Sequence, residues 1–188
     1  MRKLILVVQT SFDGFVAGPN GEFDNFIGDD EGLEYVCSLI DEGDAILMGR
    51  ISFQLLNSNW PTAATKPNAT KSVIKYSNWY NTVPKIVISK TLKSTNQDLT
   101  IINQNVESEV FELKKLPGKS ILIFGSPTTS QYLLDLKLID GIYLLLHPVI
   151  FGTGIPLFKQ SKTVTKLKLL DETKLSNGIL GLKYLTEN

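Results

Sequence analysis

The segment Asp44-Ala45-Ile46-Leu47-Met48-Gly49-Arg50-Ile51-Ser52-Phe53 decides the fold class of this chain. Its apolar run, Ala45–Met48, predicts a strand that is buried on both faces. Gly49 allows a tight turn, and the residues after it predict a helix that starts at the carboxyl end of that strand. The first N–H groups of such a helix, the Arg50 guanidinium and the Ser52 hydroxyl favour an anion, so the segment predicts a phosphate site. An ordinary strand-to-helix turn with an exposed arginine is the alternative interpretation.

The composition is that of an ordinary globular protein. The 188 residues are 43% apolar and 20% charged, which predicts one domain spanning residues 1–188. Lysine plus arginine and aspartate plus glutamate each total 19, so the charge balance argues against a nucleic-acid partner. No apolar stretch approaches the ~20 residues of a membrane span, so no membrane partner is expected. Cys37, the only cysteine, excludes an internal disulfide, fits the buried face of a helix and predicts a cytoplasmic location.

Apolar runs and helical patterns alternate along the chain. Six mostly unbroken apolar runs predict strands: Lys3–Gln9, Ala45–Met48, Lys85–Ser89, Thr100–Ile102, Ser120–Phe124 and Gly141–Ile150. Helical patterns lie between them: Asp30–Glu42, Ser52–Asn57, Thr70–Tyr80, Glu107–Lys115 and Thr128–Leu136. The alternation predicts an α/β domain with a mainly parallel central sheet flanked by helices. Near the C-terminus, Thr165–Leu170 and Ile179–Leu185 flank Ser176-Asn177-Gly178 and predict an antiparallel hairpin at the sheet edge, while Asn57–Thr70 predicts a loop.

Polar clusters follow three of the predicted strands. Besides Gly49-Arg50-Ile51-Ser52 these are Ser89-Lys90-Thr91 and Gly125-Ser126-Pro127-Thr128-Thr129. Because parallel sheets bind ligands at the carboxyl ends of their strands, the three clusters together predict a site for an extended phosphorylated cofactor. Lys90 and Arg50 suit a second phosphate, such as the 2′-phosphate of NADPH. Capping and turn chemistry explains each cluster taken alone, and no Gly-x-Gly-x-x-Gly fingerprint follows the first strand.

Several segments, in this order, resemble those of the dihydrofolate reductase-like proteins: Ser11–Ala17, Asp44–Phe53, Pro84–Thr91, Gly118–Gly125 and Leu138–Phe158. The branch that they resemble most is the C-terminal reductase domain of the bacterial riboflavin biosynthesis protein RibD, a bifunctional deaminase-reductase. The resemblance covers roughly residues 1–158. It implies a mainly parallel sheet flanked by helices, with NADPH lying across the carboxyl ends of the strands, and a homodimer formed by the C-terminal strands.

The resemblance also implies which residues bind the cofactor. These are Gly49, Arg50 and Ser52 in the phosphate-binding turn, Ser89 and Lys90 at the adenosine 2′-phosphate, Gly125, Ser126, Thr128 and Thr129 in the pyrophosphate-binding turn, and Val16 and Ala17 in the mobile loop over the nicotinamide.

Two positions depart from the family pattern. Ser126 stands where family members usually carry a second glycine, in a bond that is cis in dihydrofolate reductases, and its side chain is expected to weaken cofactor binding. Gly141 follows Asp140 where an acidic residue is common, and the sequence offers no physical account of that glycine.

The source of a proton is less defined than the cofactor site. In dihydrofolate reductases a carboxylate on the helix after the mobile loop binds the pterin, and Asp30 or Glu31 lies in the corresponding region. A partly buried carboxyl there is expected to have a raised pKa and to assist protonation, although acidic residues also favour a helix N-terminus for dipole reasons. Asp13 is a candidate substrate contact, with a turn role as its alternative. His147, the only histidine, is interpreted as structural rather than catalytic.

The sequence therefore predicts a cytoplasmic, homodimeric, NADPH-dependent reductase that transfers a hydride to a small pterin-like or pyrimidine-like heterocycle without a metal ion. A nucleotide-binding protein of the same fold without turnover, such as a ligand sensor, is the alternative. Acyl or phosphoryl transfer has no nucleophile and base pair or metal cluster in its favour.

Overall fold

The computed structural model describes residues 1–93, 99–159 and 164–187. Within these ranges the strands are β1 (Leu4–Thr10), β2 (Phe15–Ala17), β3 (Gly43–Gly49), β4 (Lys85–Ile88), β5 (Leu99–Ile102), β6 (Ser120–Phe124), β7 (Gly141–Leu146), β8 (Ile155–Pro156), β9 (Lys166–Lys174) and β10 (Leu180–Glu187). The helices are α1 (Asp30–Ile40), α2 (Arg50–Ala63), α3 (Lys71–Thr82), α4 (Val106–Lys115) and α5 (Pro127–Asp135).

The central sheet has eight strands in the order β5-β4-β3-β6-β1-β7-β10-β9. All neighbours from β5 to β7 pair in parallel, so these six strands end at the same edge of the sheet. The hairpin of β9 and β10 is antiparallel and adds to β7. This confirms the predicted mainly parallel sheet and its antiparallel C-terminal hairpin. The structure adds a feature that the sequence did not predict, a small antiparallel sheet of β2 and β8.

Two apolar layers pack on the two faces of the sheet. One contains Val110 of α4 and Leu133 of α5 together with alternate residues of β1, β3 and β6. The other contains Cys37 of α1, Tyr76 of α3 and the intervening strand residues. Cys37 is buried, as predicted. Because both faces are covered, the central strands carry apolar residues at successive positions, which explains their unbroken apolar runs.

Helix α2 extends further than the sequence predicts. It continues through Pro61 to Ala63, although Asn57–Thr70 was expected to be a loop. Contacts from α3 account for the extension: the Ser77 hydroxyl donates to the Trp60 carbonyl (2.7 Å) and accepts from the Ala64 N–H (3.2 Å). The Trp60 ring also packs on Tyr76, with ring centroids 4.2 Å apart. Tertiary packing therefore outweighs the local penalty of a proline in a helix.

Strand β7 ends earlier than predicted, at Leu146 rather than at Ile150. Pro148 lacks a backbone N–H and cannot continue a central strand, and the His147 N–H makes the last bond to β1, 2.9 Å from the Thr10 carbonyl. At the other end of β7, Gly141 has a steric explanation. A Cβ there would lie 2.8 Å from the Tyr184 carbonyl oxygen of β10 and 3.0 Å from an Ile5 methyl group of β1.

Among the helices of the described ranges, none is both long enough and apolar enough to cross a membrane.

Candidate cofactor and substrate site

The carboxyl ends of the six parallel strands bring together segments that are far apart in sequence. Along this edge, in sheet order, the residues that follow the strands are Asn103 after β5, Ser89 and Lys90 after β4, Arg50 after β3, Gly125 and Ser126 after β6, Ser11 after β1 and His147 after β7. Neighbouring strands lie about 4.8 Å apart, so the edge from β4 to β7 spans roughly 19 Å. The three polar clusters predicted from the sequence therefore share one edge, and an extended ligand can contact all of them.

The turns after β3 and β6 touch one another. The Gly49 N–H donates to the Ser126 hydroxyl oxygen at 2.9 Å. A Cβ on Gly49 would lie 2.5 Å from Thr129 Oγ1, so only glycine allows this approach. The Ser126 side chain is buried against the neighbouring turn, and Ser126 has a left-handed backbone with φ +53°. Such a conformation is uncommon for a residue with a Cβ and is often found at functional sites.

The N-termini of α2 and α5 begin at these two turns. Neither helix has a side chain that caps its first N–H groups, whereas α1 and α3 are capped by Asp29 and Thr70. Two uncapped N-termini side by side form a region of positive potential that suits adjacent phosphates. Their first turns contain Arg50, Ser52, Thr128 and Thr129, the residues expected there. Arg50 is exposed and donates to Gln54 of its own helix (3.1 Å).

Ser89 and Lys90 follow β4, the strand next to β3, and therefore lie beside the turn at which α2 begins. The Ser89 oxygen accepts from the Thr91 and Leu92 N–H groups (3.2 and 3.0 Å), so this hydroxyl fixes the turn and keeps its own hydrogen available to donate. Lys90 is exposed on an open depression of about 750 Å³ that also contains Asn103, Asn105 and Tyr132. No single stretch of sequence indicates this depression, because its residues come from separate elements.

The remaining predicted cofactor residues, Val16 and Ala17, lie in β2. Both are buried, and Ala17 pairs with Ile155 of β8. Val16 belongs to the core layer that contains α4 and α5. In this structure the pair forms part of a small sheet beside β1 rather than an open loop.

Asp13 connects two loops at the edge. Its carboxylate accepts from the Ser11 hydroxyl (2.7 Å) and from the backbone N–H groups of Phe151 and Gly152 (3.1 and 2.8 Å). The hydrogen bond from Ser11, followed by those from the two N–H groups, lowers the pKa of Asp13. The structure thus favours the turn role, the alternative to the predicted substrate contact.

The carboxyl groups at the start of α1 differ from the expectation. Glu31 accepts from the Ser176 hydroxyl (2.5 Å) and N–H (3.0 Å), and these bonds lower its pKa, so the predicted raised pKa is wrong. Asp30 is exposed rather than partly buried, and it accepts from the Thr70 hydroxyl at 2.5 Å. These residues attach α1 to the β9–β10 turn and to α3. In this structure the acidic residues at the start of α1 anchor the helix to its neighbours.

His147, which the sequence analysis interprets as structural, is buried at the same edge of the sheet. Its side chain is 1% exposed, and both ring nitrogens lack a hydrogen-bond partner within the described residues. The ring packs on Phe26, with centroids 4.7 Å apart, and Phe26 packs on Phe151 at 4.8 Å. Burial lowers the pKa of His147 to about 4, against a smaller opposing effect of Asp29. The imidazole is therefore neutral at pH 7.

Exposed apolar side chains flank the same edge. Ile51 and Leu55 lie one turn apart on α2 and share a face of that helix. Phe12 and Ile150 are also exposed, and the Phe12 N–H donates to the Val149 carbonyl at 2.7 Å, which brings their loops together. Large exposed apolar side chains on neighbouring segments suit a flat organic ligand.

Comparison with solved structures shows that this architecture is shared. The chain is similar to a putative riboflavin biosynthesis protein from Shewanella sp. PV-4, with TM-score 0.75 and 19% identity over 99% of each chain. It is also similar to the dihydrofolate reductase of Enterococcus faecalis solved with NADP(H), with TM-score 0.66 and 10% identity over 99% of this chain and 97% of that chain. A third similar structure is RibD from Acinetobacter baumannii, with TM-score 0.70 and 17% identity over 100% of this chain and 58% of that one. These similarities confirm the dihydrofolate reductase-like fold.

Sequence comparison identifies the family to which the chain belongs. The model of the RibD C-terminal domain matches residues 2–181, and the chain belongs to that family. The uncharacterized protein YyaP of Bacillus subtilis (strain 168) is 34% identical over 184 residues, covering 97% of this chain and 94% of YyaP. The uncharacterized protein YwjB of the same organism is 25% identical over 187 residues, covering 98% of each. The resemblance found in the sequence motifs is thus confirmed at the level of the family.

Proposed function

We propose that the protein is an NADPH-dependent reductase that transfers a hydride to a small heterocycle of the pterin or pyrimidine type. The observation that carries this proposal is the contact between the Gly49 and Ser126 turns, which sets two uncapped helix N-termini side by side at the carboxyl edge of a parallel sheet. That arrangement suits a pyrophosphate. The dihydrofolate reductase of Enterococcus faecalis, one of the similar structures, was solved with NADP(H), which supports the same interpretation.

The cations beside the two turns favour NADPH over NADH. Arg50 begins α2, and Lys90 follows the adjacent strand β4, so a 2′-phosphate between them would be bound by two positive side chains. Ser89 has a hydroxyl hydrogen free to donate to the same group. In this proposal Ser52, Ser126, Thr128 and Thr129 bind the pyrophosphate through backbone and hydroxyl donors. Gly49 and Gly125 allow the two turns to approach it, while their own N–H groups donate to the Ser126 hydroxyl and the Val7 carbonyl. Val16 and Ala17 support the nicotinamide end from β2.

The bound cofactor would supply the hydride, and the protein would orient the acceptor and exclude water. The exposed apolar residues Phe12 and Ile150 follow β1 and β7, the strands at the end of the edge where an acceptor would bind. The pKa of Glu31 is lowered, so that carboxylate is not the source of a proton at neutral pH.

The hydrogen bonds that hold Glu31 on Ser176 favour a second candidate function, a protein of this fold that binds a nucleotide without turnover. Consumption of NADPH separates the two candidates. Purified protein is incubated with NADPH and, in turn, a pterin, a folate and an aminopyrimidine, and the absorbance of the reduced nicotinamide is followed. Substrate-dependent oxidation that Gly49→Val abolishes supports the reductase. Tight NADPH binding with no oxidation above the protein-free rate supports the binding protein.

We also propose that two copies form a dimer through the C-terminal strands. Leu167 and Leu169 of β9 are paired with Thr186 and Tyr184 of β10, which puts them on one face of the sheet, and both leucines are more than 40% exposed. An exposed apolar face on a sheet is typical of an interface. Analytical ultracentrifugation is expected to give a dimer for the native chain and a monomer for Leu169→Lys. A monomeric native chain contradicts this assembly.

The location proposed is the cytoplasm, because the lone cysteine, Cys37, is a buried free thiol of the kind that reducing compartments preserve.

A further inference from the structure

We infer that His147 recognises the substrate heterocycle through a neutral imidazole, as a specificity-determining residue in a subsite closed by Phe26 and Phe151. The inference rests on the proposed function for the identity of the ligand, but its geometric basis is separate from the cofactor turns. The group that His147 recognises is an uncharged edge of a flat heteroaromatic ring, such as a ring carbonyl or ring N–H.

His147 lies at the carboxyl edge of the sheet. It directly follows β7, and its N–H donates to the carbonyl of Thr10, the last residue of β1. β7 lies two strands from β6 in the sheet, which is roughly 10 Å from the Ser126 turn. His147 is therefore on the edge that holds the proposed cofactor, displaced toward the end opposite to Lys90. A ligand that reacts with the far end of an extended cofactor would bind here.

The His147 side chain lies on the face of the sheet that α1 and α3 cover. Alternate residues of β7, Tyr143 and Leu145, pack in the layer that contains α1 and α3, and His147 continues that alternation. The ring meets Phe26, which precedes α1. Helix α2 packs on the same face through Phe53 and Leu56. The imidazole thus lies between the segment before α1 and the edge of the sheet.

The two ring nitrogens of His147 are polar groups that a ligand could satisfy. Buried polar groups nearly always have hydrogen-bond partners, and a buried group without one calls for an explanation. Both His147 nitrogens are fully buried, and neither has a partner within the ranges that the structure describes. A neutral imidazole has one donor and one acceptor, which matches the N–H and carbonyl groups of a pterin or pyrimidine ring.

The surroundings define the class of ligand. Phe26 and Phe151 provide aromatic faces, and Asp29 is the charged group with an electrostatic effect on the imidazole. A neutral, buried ring next to a carboxylate disfavours phosphates and carboxylates. The subsite therefore suits the uncharged ring of a substrate. Because the two phenylalanine rings pack against one another beside His147, Phe26 has to move before a ligand reaches the imidazole.

The test uses the fact that His147 is the only histidine of the chain, so one imidazole signal reports on it directly. The full chain is labelled with ¹⁵N-histidine and titrated with NADP⁺, then with 7,8-dihydropterin and with 2,4-diaminopyrimidine. We expect NADP⁺ alone to shift the imidazole nitrogens slightly, and at least one heterocycle to shift them strongly. Binding of a heterocycle, detected by calorimetry, with no change of the imidazole signal overturns the inference. Failure of both heterocycles to bind overturns the assigned class of ligand.

Variants separate recognition from packing. His147→Phe retains an aromatic ring and is expected to weaken binding of the responsive heterocycle at least tenfold, with NADPH affinity unchanged within twofold. His147→Gln retains a donor and an acceptor and is expected to recover part of the loss. Tyr143→Phe, a change on the same strand and face, is the matched control and should leave heterocycle binding unchanged. Phe26→Ala should accelerate association of the heterocycle. Equal affinity for native chain and His147→Phe overturns the inference.

The two proposals fail in different ways. If the heterocycle shifts the imidazole signal but NADPH does not bind, the proposed reductase function fails and His147 keeps its role in heterocycle recognition. If NADPH binds and the heterocycle is reduced at the same KM by His147→Phe, the reductase stands and the role of His147 is overturned.

Discussion

Replacing His147 by glutamine should make the stability of the protein less dependent on pH. In the folded protein burial lowers the pKa of His147 to about 4, whereas its ordinary value is 6.5. As the pH falls from 7.5 to 5, the unfolded chain takes up a proton at this side chain and the folded chain does not. The free energy of unfolding therefore decreases as the pH falls.

The magnitude follows from the two pKa values. At pH 5 the unfolded histidine is almost fully protonated and the folded one is almost fully neutral. This difference in protonation lowers the free energy of unfolding by about 2 kcal/mol between pH 7.5 and pH 5. The side chain is only 1% exposed, so solvent screening does not reduce this value much. Glutamine does not titrate, and His147→Gln should lack this contribution.

The assay is urea unfolding at pH 7.5, 6 and 5, followed by the fluorescence of Trp60 and Trp79. Asp13, Asp29 and Glu31 also have lowered pKa values, but they are present in both proteins and lose their contribution mainly below pH 5. The comparison between the two proteins thus isolates His147. If the native chain and His147→Gln lose the same stability between pH 7.5 and 5, the imidazole is solvated or charged in the fold, and the reasoning is refuted.

Three further predictions concern charged residues. Arg50→Ala and Lys90→Ala should each weaken NADPH binding about tenfold and NADH binding less than twofold. Fluorescence titration measures both affinities, and equal losses for the two cofactors would contradict a 2′-phosphate site. Glu31→Gln should lower the thermal unfolding midpoint, because it weakens the contact with the β9–β10 turn, while the rate of hydride transfer stays within twofold; a large fall in that rate would restore the carboxylate as a proton donor. Lys114→Ala should destabilise the fold by about 3 kcal/mol in urea unfolding, because it removes a buried ammonium that pairs with Asp140 at 2.7 Å, and a loss below about 1 kcal/mol would show that the pair is solvated.

The sheet and its helices were largely predictable because burial on both faces leaves a direct trace in the sequence. The strand Ser120–Phe124 has the predicted bounds, and the other predicted strands agree within two residues except at the C-terminal ends of β7 and β9. The end of α2 was not predictable locally. It depends on hydrogen bonds from Ser77, a residue of the next helix, to the backbone around Pro61.

The candidate site was predictable in part. Glycine and hydroxyl residues after apolar runs marked the edge, since the chemistry of a helix N-terminus is visible in sequence. The contact between Gly49 and Ser126 was not visible, because it joins residues that are far apart in the chain. Ser126, the departure from the family pattern, forms a hydrogen bond with Gly49, and its expected weakening of cofactor binding stays a prediction.

The environment of His147 could not be predicted from the sequence. One histidine in an apolar strand is usually structural, and sequence alone cannot reveal that both of its nitrogens lack partners. The carboxylates Asp30 and Glu31 looked more promising, yet their partners Thr70 and Ser176 come from distant segments and engage them in anchoring. Hydrogen-bond satisfaction is a tertiary property, and it decides which of these polar residues are available to a ligand.

The most direct test of the proposed cofactor site is a titration of the purified protein with NADPH and with NADH, followed by energy transfer from tryptophan to the reduced nicotinamide. Trp79 is a suitable donor because its ring lies 5.7 Å from that of Phe124, the residue before the Gly125 turn. We expect saturable transfer with both cofactors and at least tenfold tighter binding of NADPH than of NADH. The control variant Lys115→Ala, at the far end of α4, should bind both cofactors with unchanged affinity. No saturable transfer, or equal affinity for the two cofactors, would contradict the proposed site.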